Sequence, residues 1–440
     1  MHSLSSLPLE SNRQIKINFN GGDLSSDAGL LLVKEFACKL GFINLLKSLF
    51  KTNDTAVRHH KDDENLWQVI YQILGAYFED DCADELIHDP VLTAILDKKA
   101  LASQPTLSRF FNRMDETTLN QFYVLMRRFR KVVYSIKKPQ LLLLDLDSTL
   151  LDTYGHQEGE GFNFHYRNHG YHPLVCYDGM TGDLLKIQLR NGTDYSSTGV
   201  CELLQPLLDE FLKDYPELPL LLRGDSGFTK PELYEQCEIN GVSYVIRLKE
   251  NSTLRTLASD IDERLAEATR HDMVSYAVCY GEFMYQAGSW KYPHRVVCKA
   301  EKPEGQLIHM YTFIVTNMDS APEELIRFYC KRGSMENFIK ESKNGFDFAA
   351  VSSSSKIVNA NRLQIHALAY NIFNWFKRLA LPAKMRKYQV DTIRLKLLKI
   401  AAKAVHSARY ITFKLCSSCP YKDEFYETLE NIHSLQLQLE

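Results

Sequence analysis

The sequence predicts an α/β protein: a mixed sheet in the middle of the chain, flanked by helical amino- and carboxy-terminal regions. Three observations carry that expectation. "QLLLLDLD", residues 140–147, is a short apolar run of the kind seen in a strand buried on both faces. From there to residue 251, strand-like runs alternate with helix-like ones. Over residues 1–135 and through the last hundred residues, apolar side chains instead recur at helical spacing.

The chain has 440 residues, too many for one compact core, so several domains are expected. A composition of 45% hydrophobic, 24% charged and 11% aromatic residues is that of a folded soluble protein and leaves little room for long disorder. The net charge is only -3, so the total gives no sign of a polyanionic partner and any basic surface must be local. "MHSLSSLPLESNRQ" lacks the basic start and apolar core of a signal peptide, and no apolar run near the aspartates is long enough to span a bilayer. The ten cysteines are scattered singly except Cys416 and Cys419, and one C-x-x-C is a weak zinc signal, so buried free thiols in a reducing cytoplasm are expected.

Residues 1–135 are expected to form a helical DNA-binding region. "DAGLLLVKEFACKLGFINLLKSLF" and "ENLWQVIYQILGAYF" are its amphipathic helices. "SQPTLSRFFNRM", with a Ser103 or Thr106 cap, suits either a helix-turn-helix reader of DNA or an ordinary helical hairpin. "RRFRK", Arg127 to Lys131, is a dense positive cluster suited to a phosphate backbone or to a solvated helix face.

Residues 136–251 hold the first part of the sheet. After "QLLLLDLD" comes a hairpin, "YHPLVCYDGMTGDLLKIQLRNG", with its turn at "GMTGD". "TGVCELLQPLLDEFLKDYP" is a helix, "LPLLLRGDSGF" a buried strand, "KPELYEQCEIN" a helix opened by Pro231, and "VSYVIRLKEN" a fifth strand. Residues 252–320 become strand-rich in "DMVSYAVCYGEF", "HRVVCKAE" and "HMYTFIVTN", and are expected to be a β-rich insertion. Residues 321–350 form one helix, "PEELIRFYCKRGSMENFIKESKNGF", and residues 351–440 a helical basic region in which "DTIRLKLLKIAAKAVHSARY" continues as helix. Between Lys377 and Lys414 there are eleven Lys/Arg against the single acid Asp391, a stretch that favours a nucleic-acid surface.

Asp145 and Asp147 alternate with Leu146 and so share a strand face. Asp225 ends its own strand between Gly224 and Gly227, which leave the backbone free to turn sharply or approach a ligand. Ligands of α/β sheets gather beyond the carboxyl ends of strands, so Asp147 and Asp225 can converge there. Two carboxylates held together repel unless a divalent cation neutralises them, which suggests Mg2+ or Mn2+. On the helix after residue 320, Tyr329, Arg332, Glu336 and Lys343 fall within roughly 60° of one another, at about 100° per residue. That stripe is either the solvent face of a surface helix or a row holding a metal-binding acid, two phosphate-binding cations and a phenol.

The spacing Y-x2-R-x3-E-x6-K resembles the signature of DDE transposases of bacterial insertion sequences, the group numbered 1380 among them. "DLDST" resembles the family's first-aspartate motif and selects Asp147 over Asp145, while "GDSGF" resembles its second and selects Asp225. "FNGGDLSSDAGLLLVKEF" and "SQPTLSRFFNRM" extend the resemblance over nearly the whole chain. It implies a ribonuclease-H-like catalytic core interrupted by the β-rich insertion, and cut-and-paste DNA transposition in the bacterial nucleoid. Asp147, Asp225 and Glu336 would be the catalytic acids and would grip two divalent ions, Mg2+ or Mn2+, about 3.5 to 4 Å apart. Tyr329, Arg332 and Lys343 would contact phosphates, and Arg247 and Lys249, alternating on one strand face, would track the DNA backbone. Trp290 would stack on an extruded base, or else sit in the core as a plain tryptophan. The partners implied are double-stranded DNA, as terminal inverted repeats and as target, and a second copy of the chain in a synaptic dimer.

Two rival readings differ in class. In the D-x-D-x-T register of haloacid-dehalogenase-like phosphatases, Asp145 would be the nucleophile and Asp147 the general acid–base, with Thr149 following. About 140 residues precede that motif, and Thr229 and Lys230 stand where a second acidic motif is needed. The other rival is a catalytically idle DNA-binding relative that kept the fold, although all three acids are present.

Overall fold

The structure is a computed structural model that describes residues 6–270 and 275–437. The start of the expected strand "DMVSYAVCYGEF" and both extreme chain ends lie outside the described residues. Helices of eight or more residues and strands of five or more are numbered in chain order. The chain divides into two compact units, one comprising residues 1–136, 341–350 and 361–440, the other residues 137–340 and 351–360.

In the first unit the amino-terminal part holds α1 (Leu30–Lys39), α2 (Phe42–Leu49), α3 (Asp62–Leu74), α4 (Gln104–Phe111) and α5 (Glu116–Ile136). Their buried faces meet in an aromatic core in which Phe42 stacks on Phe129 at 4.0 Å and Trp375 meets Phe42 at 5.7 Å. α4 and α5 are consecutive helices. Ser103 occupies the cap position of α4 without a capping bond, and Arg113 beyond α4 is paired with Asp62 at 2.9 Å. The "RRFRK" cluster is divided by its helix: Arg130 is buried, while Arg127, Arg128 and Lys131 are exposed.

In the second unit, eight strands form one mixed sheet: β1 (Leu142–Ser148), β2 (Leu174–Asp178), β3 (Leu184–Gln188), β4 (Leu220–Gly224), β5 (Ser243–Leu248), β6 (Ala277–Tyr285), β7 (His294–Lys302) and β8 (Met310–Thr316). Their order is β6-β7-β8-β5-β4-β1-β2-β3. β1, β4 and β5 run parallel, joined by α6 (Val200–Asp214) and α7 (Pro231–Ile239), the crossover helices that parallel strands require. β2 and β3 form an antiparallel hairpin beside β1, turning where Asp178 accepts bonds from Met180 N and Thr181 Oγ1 in "GMTGD".

The strand-rich stretch differs from the expected insertion in two ways. It begins as helix, including α8 (Ser259–Ala268), and β8 pairs antiparallel with β5, so its three strands extend the main sheet. A second unanticipated piece lies between β1 and β2, where the short strands Leu151–Asp152, Asn168–Tyr171 and Gly161–Asn163 make a small sheet of their own.

The expected single helix over residues 321–350 is broken. α9 (Pro322–Cys330) ends, Lys331 and Arg332 form a turn closed by i→i+3 bonds, and α10 (Gly333–Lys340) begins at the glycine. A π-helical turn, Glu341–Gly345, follows in the first unit. Glycine within "KRGS" weakens helix propagation by about 1 kcal/mol, which makes the break inexpensive.

The last part of the chain includes α11 (Lys356–Leu379), then a hairpin of β9 (Ala402–His406) and β10 (Ile411–Leu415), then α12 (Lys422–Ser434). The hairpin corrects the expectation of a helix through "KIAAKAVHSARY". Within the first unit, backbone bonds from Ala28 N to Ile400 O, Gly29 N to Leu398 O and Ala404 N to Asp23 O capture this segment as extended chain. A Cβ on Gly29 would lie 1.9 Å from the Leu397 carbonyl, so only glycine permits the approach. The basic stretch is partly engaged internally: Lys384 pairs with Glu424, Lys399 with Asp27, and buried Arg394 bonds the Leu74 and Ile73 carbonyls. Lys387, Lys403, Arg409 and Lys414 are exposed. Among the described residues no helix is long and apolar enough to cross a membrane.

Candidate active site

β1 and β4 are neighbours in parallel register, Leu142 opposite Leu220 and Asp145 opposite Arg223. The paired register ends at Asp145 and Arg223; Asp147 and Asp225 each follow two residues later, beyond the last pair, at the carboxyl ends of the strands. Parallel neighbours lie about 4.8 Å apart, and the two carboxylates lie in one another's field, Asp225 pushing the Asp147 carboxyl up.

Asp225 caps the short 3-10 turn Ser226–Phe228 and accepts a bond from Gly227 N at 2.9 Å. A Cβ on Gly227 would come within 3.0 Å of both that carboxylate and the Ser196 side chain, so the small residue keeps the turn close to its neighbouring loop. Asp147 accepts a bond from Ser148 N at 2.8 Å and keeps its side chain 17% exposed. Burial pushes the Asp147 carboxyl up to about 6; Arg332 pulls it down and Asp225 pushes it further up.

Arg332, on the turn between α9 and α10, donates from Nη2 to the Leu146 carbonyl at 2.7 Å and sits 3.0 Å from Asp147 Oδ2. The break in the helix is what aims this guanidinium at the end of β1. Behind the pair, Asp145 is fully buried and bound by Arg223, whose Nε donates to Oδ1 at 2.9 Å and whose Nη2 donates to Oδ2. Arg223 Nη1 also donates to the Phe328 carbonyl at 3.1 Å near the end of α9. One buried arginine thus ties together β4, β1 and the helix that leads into the Arg332 turn.

That geometry removes the phosphatase reading. A nucleophilic Asp145 would need an accessible oxygen, and both of its oxygens are held by Arg223 in the interior. Asp145 braces the site instead of entering it.

The remaining candidates are distributed unequally. Glu336 is exposed on α10, and among the described residues no three His, Cys, Asp or Glu side chains are gathered as metal ligands. Tyr329 belongs to no exposed stripe: its ring is buried among Val245, Val297, Ile314, Leu325 and Ile326. Burial raises its phenol, Arg332 and Arg247 lower it, and Asp225 raises it, so its hydroxyl lies in the field of the site. Arg247 and Lys249 are exposed at the end of β5. Lys343 lies in the π-helical turn of the first unit, where spacing computed for an α-helix no longer applies. Trp290 is a core residue, 5% exposed and packed edge-on against Tyr234 and His294, so its ring is not offered to a base.

Two residues of the site escaped sequence reading. Arg223 had a signal, since a charge within the buried run "LLLRG" must have a partner. Tyr166 had none: its hydroxyl donates to the Ser148 carbonyl at 3.1 Å from a hairpin that no periodicity marked. Burial lifts its phenol to about 12, with Asp147 and Asp225 adding to the shift.

The donor set fits a divalent cation. Two neighbouring carboxylates, one with its carboxyl pushed up by burial and by the other's charge, are what a hard cation with oxygen ligands stabilises, and an arginine at 3.0 Å already answers that demand in part.

No curated protein matches the chain. Among solved structures it is similar to the piggyBac transposase of a cryo-EM synaptic complex with hairpin DNA, at 14% identity over 85% of this chain and 80% of that one, with a TM-score of 0.41. From residue 7 to residue 437 the sequence matches the family described as transposase DDE domain group 1, and the chain belongs to that family.

Proposed function

We propose that this DDE-family transposase binds the terminal inverted repeats of its insertion sequence and moves it by cut-and-paste, with Asp147, Asp225 and Glu336 as its catalytic acids. The observation that supports the reading is that Asp147 and Asp225 each follow two residues after the paired Asp145 and Arg223 of two parallel strands and feel one another's charge. The strand order β3-β2-β1-β4-β5, with only β2 running opposite to the other four, supports a ribonuclease-H-like core.

Asp147 and Asp225 would hold Mg2+ or Mn2+, and Glu336 would complete the set. Its place supports this, because Arg332 pins the start of α10 to the end of β1 and Glu336 follows one turn later. When bound, a pair of such ions lowers the pKa of an attacking water and stabilises the leaving 3′ oxygen. Arg332, already aimed at the carboxylates, neutralises a phosphate placed there, and the Tyr329 hydroxyl orients it from behind. Arg247 and Lys249 at the end of β5 follow the DNA backbone, and Lys343 contributes a further phosphate contact. The same carboxylates aim a freed 3′ hydroxyl at target DNA, since cleavage and joining are both in-line displacements at phosphorus. Two ends handled together call for a dimer on DNA.

The test is cleavage of a DNA fragment carrying the inverted repeats that flank the gene. Wild type is expected to cut in Mg2+ or Mn2+, and Asp225→Ala to bind the repeats without cutting. Cutting by Asp225→Ala at the wild-type rate refutes the assignment.

A further inference from the structure

The small sheet between β1 and β2 presents rings to solvent. Among the described residues ten Phe or Tyr side chains are exposed, and five of them lie between residues 154 and 195: Tyr154, Phe162, Phe164, Tyr166 and Tyr195. That is half of them in about a tenth of the chain. Phe164 is 87% exposed, and it meets Phe162 edge-on at 5.3 Å without being covered by it. Exposed apolar clusters of this kind mark interaction surfaces.

The rings stand on a fixed base. A Cβ on Gly192 would lie 2.1 Å from the Gly170 carbonyl and 2.5 Å from the Gly161 carbonyl, so three backbones pack closer than side chains would allow. Asn163 Nδ2 donates to Gly192 O, and Asn163 Oδ1 accepts from the amides of His165 and Tyr166, which sets the hairpin tip. Arg190 Nη1 donates to the Tyr195, Ser196 and Thr198 carbonyls and fixes the neighbouring loop. A preorganised surface gives up little conformational entropy on binding.

This base adjoins both catalytic strands. The Tyr166 hydroxyl is bonded to the carbonyl of Ser148, the residue after Asp147. Ser196, the residue after Tyr195, packs against Gly227 of the turn capped by Asp225. A polymer whose phosphate reaches Asp147 and Asp225 would pass Tyr166 and the loop of Tyr195, and Phe162 and Phe164 stand on the same hairpin as Tyr166. A duplex hides its base faces in the stack, whereas an unpaired strand presents them, and aromatic side chains hold such bases with little regard to sequence.

We propose that Phe162, Phe164 and Tyr166 form a stacking platform for unpaired DNA bases next to the scissile phosphate. The inference rests on the transposase reading and adds to it the form of DNA that the site holds: a strand opened at the cut. Arg167 and His165 at the same tip supply cationic or hydrogen-bonding contacts to its backbone.

The experiment measures binding of the full chain to a fluorescent single strand of about 16 nucleotides and to a repeat-bearing duplex. Phe162→Ala/Phe164→Ala is expected to weaken single-strand binding about tenfold or more, with duplex binding unchanged. Phe164→Trp, which keeps a π face, is expected to bind the single strand as wild type does. Unchanged single-strand affinity in the double variant overturns the platform, and so does an equal loss on duplex, which would mark a general DNA contact. A wild type that binds duplex but no single strand also overturns it while leaving the transposase reading standing. Binding to neither form overturns both. A change of the double variant from dimer to monomer in sedimentation would assign the rings to self-association instead.

Discussion

Arg223 and Asp145 face one another across two parallel strands, buried and doubly bonded, each two residues before an aspartate of the site. The pair fixes the register that decides where Asp147 and Asp225 end up. A buried charge that loses its partner typically costs about 3–5 kcal/mol, whereas replacing both partners with apolar residues is often neutral. Arg223→Met is therefore expected to lower the unfolding free energy by about that amount in urea titration, and Asp145→Leu/Arg223→Met to recover most of it. An undiminished Arg223→Met would show that the pair is no brace.

The field at Asp147 gives a pH dependence whose sign is fixed by linkage. Its folded pKa of about 6 lies above the ordinary 3.8, so the folded protein binds that proton more readily than the unfolded chain. The resulting stability is present at acid pH and is lost as pH rises through about 6. Metal-free Asp147→Asn is expected to match wild type near pH 3, below the unfolded pKa, and to exceed its stability above pH 6, by about 1–3 kcal/mol. Asp178, also lifted to about 6 by burial, titrates in both proteins and cancels in the difference. Chemical denaturation across that range checks the sign.

Arg332 has a role that its charge alone does not fill, since one guanidinium spans the Leu146 carbonyl and the Asp147 carboxylate. Arg332→Lys keeps the charge and loses the fork. Strand cleavage is expected to fall about a hundredfold, the scale for losing one preorganised stabilising group, while repeat binding by gel shift stays unchanged. Equal loss of binding would assign Arg332 to DNA affinity instead.

Trp290 separates a core ring from a DNA-reading ring. Its contacts with Tyr234, Tyr285 and His294 lie within the second unit. Trp290→Ala is expected to cost about 3–5 kcal/mol of stability, while Trp290→Phe should cut DNA at the wild-type rate. A cleavage defect in a stably folded Trp290→Phe would return the ring to the site.

Much of the site was legible because strand physics is local. An apolar run such as Leu141 to Leu144 can hardly be anything but buried, and alternation then assigns a face to each following aspartate. What escaped depends on partners distant in sequence. Residues 398–404 carry a helix-like composition, yet backbone bonds to residues 23–29 hold them extended. The stripe of Tyr329, Arg332, Glu336 and Lys343 assumed one uninterrupted helix, and Gly333 and the π-helical turn divide it. Tyr329 consequently buries its ring while Arg332 turns toward Asp147. The small sheet between β1 and β2 is too short and too rich in glycine and aromatic residues to show a period.

In the proposed mechanism Asp147, Asp225 and Glu336 together hold a divalent cation. Mn2+ binding, followed by electron paramagnetic resonance on the DNA-bound protein, tests it most directly, because it reads the ligands without requiring turnover. Wild type is expected to bind Mn2+, and Asp147→Asn, Asp225→Asn and Glu336→Gln each to weaken that binding at least about tenfold, as loss of a carboxylate ligand should. Undiminished Mn2+ binding in Asp225→Asn would show that this carboxylate is not a metal ligand.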